Sequence, residues 1–302
     1  MPHLPSVAIV TPSYNQGAYL GATIESVLAQ DYPAIDHVVM DACSTDETPA
    51  VLARYAGRVR AVVEPDGGQA DAINKGFALA RGDVLTWLNS DDTLAPGAVA
   101  AAAAFLAVHP DVAVVYGDAT FIDAAGRHIA RCAHVEPFNA KRLLHYTDMI
   151  VQPAAFFRRA AFDAVGGLDP ALHYAMDYDL WLKLAAAGHK FAHVPRVWAH
   201  YRWLGENKSA VGGWKRLREV QRVAARYGRQ SLPAYFKLEA VNLHLGDARA
   251  ALTERRLAGA VGAVARAAGT VLGSPRAVKA LCEPNTWRII RTGRTLRAHA
   301  AR

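Results

Sequence analysis

The first ninety residues alternate short apolar runs with segments of helical periodicity, which constrains the fold more than any other feature. Four runs have the length and apolar content of strands: 7–10, 37–40, 59–63 and 84–88. Three segments between them repeat apolar residues every three or four positions: 18–30, 49–55 and 70–80. Strands that alternate with helices form βαβ units with right-handed crossovers. We therefore predict an α/β fold with a Rossmann-like, mostly parallel sheet flanked by helices.

A polar loop follows each of the four predicted strands. The loops read Thr-Pro-Ser-Tyr-Asn (11–15), Asp-Ala-Cys-Ser-Thr-Asp (41–46), Glu-Pro-Asp-Gly-Gly (64–68) and Asn-Ser-Asp-Asp (89–92). Ligands of open α/β folds bind at the carboxyl ends of the strands, so four polar loops at one edge predict a site. The carboxylates of the last loop suit a hard divalent cation that also binds substrate phosphates. The same residues also suit a plain turn.

Size and cysteine content restrict the class of protein. The chain has 302 residues, of which 52% are hydrophobic, enough for one large domain or a domain with an appendage. No apolar run reaches the roughly 18 residues of a membrane span, and the first residues lack the regions of a signal peptide. The three cysteines, Cys43, Cys132 and Cys282, are far apart, which favours free thiols over disulfides or a zinc site. We expect a cytoplasmic protein.

Charge divides the chain into two regions. Residues 1–212 contain 16 Lys and Arg against 22 Asp and Glu, whereas residues 213–302 contain 18 against 5. The pattern from Trp214 onward is helical, so we predict one domain over 1–212 and a basic helical region over 213–302. A basic region of this kind suggests an anionic partner. Aromatic residues are sparse for a nucleic-acid platform, an anionic phospholipid surface fits at least as well, and a solvated helical face remains an alternative.

Five segments in this order resemble glycosyltransferase family 2, over roughly residues 5–210. They are Val-Ala-Ile-Val-Thr-Pro-Ser-Tyr-Asn-Gln (7–16), Asp-Ala-Cys-Ser-Thr-Asp-Glu-Thr (41–48), Glu-Pro-Asp-Gly-Gly-Gln-Ala-Asp-Ala-Ile-Asn-Lys-Gly (64–76), Trp-Leu-Asn-Ser-Asp-Asp (87–92) and Asp-Tyr-Asp-Leu-Trp-Leu-Lys (177–183). The resemblance implies a GT-A type fold with a helical C-terminal appendage. It also implies inverting transfer of a sugar from a nucleotide-sugar donor with Mg²⁺ or Mn²⁺.

The resemblance assigns the donor-binding residues. Asp91 is the expected metal ligand, with Asn89 and Ser90 contacting the ribose or metal-bound water. Asp92 either supports this turn or is a second ligand. Five further residues complete the donor side: Pro12 and Tyr14 as a flat wall, Asp41 and Asp66 as acceptors from the base or ribose, and Asn74 facing the site. Helix capping is the alternative role for Asp41, and the expected role for Asp46.

The acceptor side requires a general base, because a sugar hydroxyl is a poor nucleophile. Asp177 matches the family position, and capping of its helix is the alternative. Met176 stands where the family often has an acidic residue, and Ala42-Cys43 replaces a Gly-Ser pair. Residues 200–209, His-Tyr-Arg-Trp-Leu-Gly-Glu-Asn-Lys-Ser, resemble the mobile segment of the family that closes over the diphosphate. Leu204 occupies a position in it where relatives often have histidine, so we expect Arg202 or Lys208 to cover the phosphates.

The leading interpretation is an inverting, metal-dependent glycosyltransferase with a donor that is UDP-linked or related. Its acceptor would be a glycan or a lipid-linked glycan of a surface polysaccharide at the inner membrane face, and we expect no nucleic-acid partner. A catalytically silent nucleotide-sugar binding subunit is the alternative. A nucleotidyltransferase should have a first loop rich in glycine and lysine, which residues 11–16 lack. The interpretation requires Asp91 and Asp177 to share one cavity.

Overall fold

The computed structural model describes residues 4–254 and 256–300, which contain one nine-stranded sheet. The strands are β1 (Val7–Ser13), β2 (Ile35–Asp41), β3 (Arg60–Val63), β4 (Val84–Trp87), β5 (Thr93–Leu94), β6 (Val112–Ile122), β7 (His128–Arg131), β8 (Ala155–Arg158) and β9 (Lys190–Arg202). Their order in the sheet is β3-β2-β1-β4-β8-β6-β9-β5, and β7 pairs with β6.

Helices cover the sheet and form the C-terminal region. They are α1 (Gly17–Leu28), α2 (Thr48–Arg54), α3 (Gln69–Leu79), α4 (Ala98–Val108), α5 (Ala140–His145), α6 (Arg159–Ala164), α7 (Met176–Ala186), α8 (Lys208–Val211), α9 (Gly213–Arg226), α10 (Ala234–Thr253), α11 (Leu257–Leu272), α12 (Pro275–Leu281) and α13 (Pro284–Ala300). The predicted α/β fold class and helical C-terminal region are confirmed.

The first four strands of the sheet order, β3, β2, β1 and β4, are parallel. Every residue of β1 and β4 is buried, as expected of strands covered by helices on both faces. Helix α3 packs closely on β1, because a Cβ built at Gly76 would lie 2.5 Å from Cγ1 of Val10. The carboxyl ends of these strands therefore carry the four polar loops to one edge of the sheet.

The second half of the sheet is mixed and extends beyond the predicted strands. β8 is antiparallel to both β4 and β6, whereas β9 runs parallel to β6 over most of its length. The apolar run at 191–194 predicts only a short strand, whereas β9 continues to Arg202. This extension delivers residues 202–208 to the loop that follows β4.

The basic C-terminal region begins inside the main core. On α9, Leu217, Val220 and Val223 are buried in the same apolar cluster as Val10 and Trp87 of the sheet. The core therefore continues past residue 212, and the two-domain division at 212/213 stays a prediction. In the described part of the chain no single helix is long and apolar enough to span a membrane. The bent pair α11 and α12, at 88°, meets the length and composition requirement only together.

Candidate active site

A cavity of about 1270 Å³ lies at the edge where the polar loops meet. Eight of the predicted site residues line it: Pro12, Tyr14, Asp66, Asn89, Ser90, Asp91, Asp177 and Lys208. Asp91 and Asp177 therefore share one cavity, as the sequence interpretation requires. Asp41, Asn74 and Arg202 are not among the residues that line it.

Amide and hydroxyl groups hold Asp91 in the loop after β4. Its Oδ2 accepts a hydrogen bond from Nδ2 of Asn207 at 3.1 Å, and Gln16 also bonds its side chain. Ser90 donates its hydroxyl to Oε1 of Gln16 at 2.5 Å, and Thr23 of α1 donates to the carbonyl of Ser90 at 2.9 Å. Burial raises the pKa of Asp91. A cation in the cavity would stabilise the ionised form of this carboxylate.

Asp92 has the structural role that was one of its two predicted roles. Its Oδ1 accepts the backbone N–H of Arg202 at 2.9 Å, and its Oδ2 accepts from Nδ2 of Asn89 at 3.2 Å. Burial raises its pKa well above the usual value, and the nearby charge of Asp91 raises it further. Asp92 thus ties β9 to the loop, while Asp91 faces the cavity.

Arg202 is a correction to the expected site. Its Nε donates to the carbonyl of Asp91 at 2.7 Å, and its Nη1 donates to the carbonyls of Asp123 at 2.8 Å and Ala124 at 3.0 Å. The side chain is 3% exposed, because Arg202 still belongs to an interior strand rather than to a mobile segment. Arg202 therefore supports the backbone of the Asp91 loop, and of the two residues expected at the phosphates only Lys208 lines the cavity.

Two residues expected on the donor side instead shape the loops beside it. The carboxylate of Asp41 accepts the hydroxyl of Ser44 at 2.6 Å and its backbone N–H at 3.0 Å. The amide of Asn74 bonds both backbone groups of Leu168, at 2.9 and 3.1 Å, so it points away from the cavity. Asp46 precedes Glu47, the N-cap residue of α2, and accepts the N–H of Thr48 at 2.9 Å, so it bonds the start of the helix without occupying the predicted cap position.

The third polar loop reaches the cavity through a glycine. Gly68 has φ of +118°, a conformation that residues with a Cβ rarely adopt, and it donates its N–H to Asp66 at 2.8 Å. The next residue, Gln69, donates to Oδ1 of Asn89 at 2.7 Å and accepts from Nζ of Lys208 at 2.9 Å. Gln69 thus connects three segments of the cavity wall.

Asp177 is the second residue of α7 and lines the cavity. Its Oδ1 accepts the N–H of Tyr178 at 2.8 Å. Burial raises its pKa, whereas this hydrogen bond and the charge of Arg216 oppose the rise. Asp148 lines the same cavity, and burial together with the charge of Asp177 raises its pKa well above the usual value. The charge of Arg216 lowers the pKa of both carboxylates and so favours their ionised forms.

Glu219 on α9 fixes the segment that leads into α7. Its buried carboxylate accepts three consecutive backbone N–H groups, from His173 at 3.1 Å, Tyr174 at 2.5 Å and Ala175 at 2.7 Å. Asp177 follows two residues later. The orientation of Asp177 therefore depends on a residue in the basic C-terminal region, which the sequence analysis assigned to an appendage.

The surroundings of Asp91 fit a divalent cation that takes most of its ligands from water and a bound substrate rather than from the protein. The described residues contain no group of three or more His, Cys, Asp or Glu side chains that could hold a metal by themselves. Magnesium commonly uses one or two carboxylates and completes its shell with water and substrate phosphates. The buried carboxylate of Asp91, oriented by two amides, has the oxygen chemistry that this mode requires.

Fold and cavity together define the class: an α/β protein whose ligand site lies at the carboxyl edge of parallel strands. The model of glycosyl transferase family 2 matches residues 8–166, more than half of the chain. The protein belongs to this family.

The chain is also similar to curated bacterial proteins. The chain is 30% identical over 209 residues to a chondroitin synthase of Pasteurella multocida, covering 68% of this chain and 21% of the relative. It is 31% identical over 204 residues to the O-antigen biosynthesis protein RfbC of Myxococcus xanthus, covering 66% and 16%. The chain thus spans about a fifth of the length of these relatives.

Solved structures share the fold. TarS of S. aureus, in complex with UDP-GlcNAc, has a TM-score of 0.60 at 19% identity, covering 88% of this chain and 81% of that chain. The mannosyltransferase PcManGT of Pyrobaculum calidifontis, in complex with GDP-Man and Mn²⁺, has a TM-score of 0.61 at 22% identity, covering 99% and 87%.

Proposed function

We propose that the protein is an inverting, metal-dependent glycosyltransferase that uses a nucleotide-sugar, UDP-linked or related. Its acceptor is a glycan or a lipid-linked glycan in the synthesis of a cell-surface polysaccharide. The observation that carries the proposal is the single cavity lined by both Asp91 and Asp177. The names of the relatives and the nucleotide-sugar complexes of the structural neighbours support the same substrate classes.

On the acceptor side, Asp177 takes the proton of the attacking hydroxyl as the new glycosidic bond forms. The hydroxyl attacks the anomeric carbon from the side opposite the leaving diphosphate, so one displacement inverts that centre. Arg216 favours the ionised form of Asp177, which can accept the proton. Glu219 keeps the start of α7 in the orientation that this attack needs.

On the donor side, Asp91 would hold Mg²⁺ or Mn²⁺, and a bound cation would supply positive charge to neutralise the leaving diphosphate. Asn207 and Gln16 orient the Asp91 carboxylate. Lys208 adds positive charge on the same wall, where it stabilises the leaving group. Pro12 and Tyr14 flank the base, and Asp66 accepts hydrogen bonds from the nucleoside.

A screen of nucleotide-sugars with Mn²⁺ tests this proposal. A donor at a hundredfold excess over its Kd should raise the Tm by about 5 °C, because ligand binding stabilises only the folded state. The same donor should be hydrolysed or transferred in the presence of the metal. Stabilisation without any turnover would instead support the catalytically silent subunit, and no stabilisation by any donor would contradict both.

We also propose that the protein works in the cytoplasm at the inner membrane face, held there by α11. Four apolar residues on one face of this helix are exposed: Leu257, Val261, Val264 and Leu272. Residues 213–302 carry the large excess of Lys and Arg. An exposed apolar stripe within a basic region is the pattern of helices that lie in the surface of anionic bilayers.

Val261→Asp should weaken binding to phosphatidylglycerol vesicles about tenfold, because a carboxylate replaces an apolar group that enters the bilayer. Vesicle sedimentation measures this binding, and raising the salt should weaken it in the wild type. Val108→Asp is the matched control, since Val108 is 60% exposed on α4 and Val261 is 69% exposed. Equal binding by wild type and Val261→Asp would contradict the proposal.

A further inference from the structure

The cavity has a second wall that donor chemistry does not explain. Helices α10 to α13 contribute six partly buried apolar side chains to its lining: Leu238, Val241, Val271, Leu281, Ile289 and Ile290. On α13, Ile289 and Ile290 follow Thr286 at spacings of three and four, so one face of this helix points into the cavity. We name these six residues the apolar limb.

The apolar limb adjoins the acceptor side of the cavity. Arg216, whose charge acts on Asp177, also bonds Glu239 of α10 at 2.6 Å and lies 5.2 Å above the ring of Phe236. Tyr178, next to Asp177, lies 6.0 Å from the same ring. A molecule whose hydroxyl contacts Asp177 therefore has the limb beside it.

Helix α13, which forms part of the apolar limb, is held in place by contacts with α10 and with the core. Thr286 at the start of α13 donates to the hydroxyl of Tyr235 on α10 at 2.9 Å. Further along α13, Leu296 is buried against the cluster that contains Phe121 of β6. Trp287 lines the cavity and is 56% exposed, so the limb reaches the protein surface.

We propose that the apolar limb binds an apolar chain attached to the acceptor saccharide, so that the acceptor substrate is amphiphilic. This inference rests on the proposed function, because it takes Asp177 as the point where the acceptor hydroxyl reacts. The volume supports it: a cavity of about 1270 Å³ exceeds the roughly 300–1,000 Å³ of sites for a single small ligand. A carbohydrate alone would leave the six apolar side chains without a matching surface.

Calorimetric titration with methyl and octyl β-glucoside, the latter below its micellar concentration, tests the proposal without donor or turnover. The octyl compound should bind at least tenfold more tightly, because burial of two or three methylenes already gives that factor. Val241→Asn should reduce this advantage at least fivefold. Val278→Asn is the matched control, since Val278 is exposed on α12 and does not line the cavity.

Equal affinity of the wild type for both glucosides would overturn the proposal, whether or not Val241→Asn folds. An equal loss in Val241→Asn and Val278→Asn would also overturn it, because it would indicate adsorption to the helical surface. The titration tests the apolar limb independently of the proposed function, because it needs neither donor nor turnover. If the protein transfers sugar to a free oligosaccharide but binds both glucosides equally, the proposed function stands and only the proposal for the apolar limb is contradicted.

Discussion

Asp177→Asn should lower glycosyl transfer about a thousandfold and leave donor binding unchanged. General base catalysis contributes factors of about 10² to 10⁴, and asparagine does not take up a proton at neutral pH. The substituted amide can still accept the N–H of Tyr178, so the start of α7 should keep its geometry. Initial rates with a saturating donor, together with the donor-induced change in Tm, separate the loss of chemistry from a loss of binding.

The pH dependence of Asp177 has a definite sign. Burial raises its pKa, so the wild-type rate should rise with pH through a value above that of an ordinary aspartate, and the variant should lack this rise. A carboxyl whose pKa is higher in the folded state stabilises the fold at low pH, and this contribution is lost as the pH rises through that pKa. Asparagine does not ionise, so the variant should be at least as stable as the wild type at pH 7.

Asp179→Asn is the matched control for the same helix. Asp179 is fully buried, does not line the cavity, and pairs with Lys183 at 3.1 Å and Arg226 at 3.0 Å. Its substitution should lower the free energy of unfolding by about 2 kcal/mol or more while the rate per folded molecule stays unchanged. If Asp177→Asn kept more than a tenth of the activity, Asp177 would not be the base, and Asp148 would be the next carboxylate to test.

The parallel half of the fold was predictable because its signal is local. Each of β1, β2, β3 and β4 is a short apolar run followed by a polar loop, and sequence period alone identifies it. The strand β9 was largely missed, because Pro195, Arg196 and two histidines interrupt its apolar pattern. Its extended form is fixed by parallel pairing with β6, some eighty residues away in sequence, which no local window contains.

The site was more predictable for residues that line the cavity than for residues that hold the lining residues in place. Asp91 and Asp177 were identified from motifs, and both line the cavity. Asn207 and Glu219 were missed, because their roles depend on contacts with segments far away in the sequence. The signal that could have found Asn207 is its place in the segment 200–209, which resembles the mobile loop of the family. Arg202 was misjudged because β9 extends as far as this residue and buries its side chain.

Asp91→Asn should abolish the response to metal while the apoprotein stays as stable as the wild type. Neutral asparagine keeps an oxygen that can accept from Asn207, but it loses the charge that attracts a divalent cation. Metal-dependent turnover should fall at least about a hundredfold, in the range found when one stabiliser of transition-state charge is removed. The change in Tm on adding Mn²⁺ with nucleoside diphosphate should disappear in the same variant.

The neighbouring variant Asp92→Asn should behave in the opposite way. Both oxygens of Asp92 accept hydrogen bonds, from Arg202 and Asn89, and an asparagine amide can satisfy only one of these donors. The variant should lose about 1–3 kcal/mol of the free energy of unfolding, measured in urea, yet keep its response to Mn²⁺. If Asp92→Asn lost the metal response and Asp91→Asn kept it, the metal ligand would be Asp92, and the assignment of the two adjacent carboxylates would be reversed.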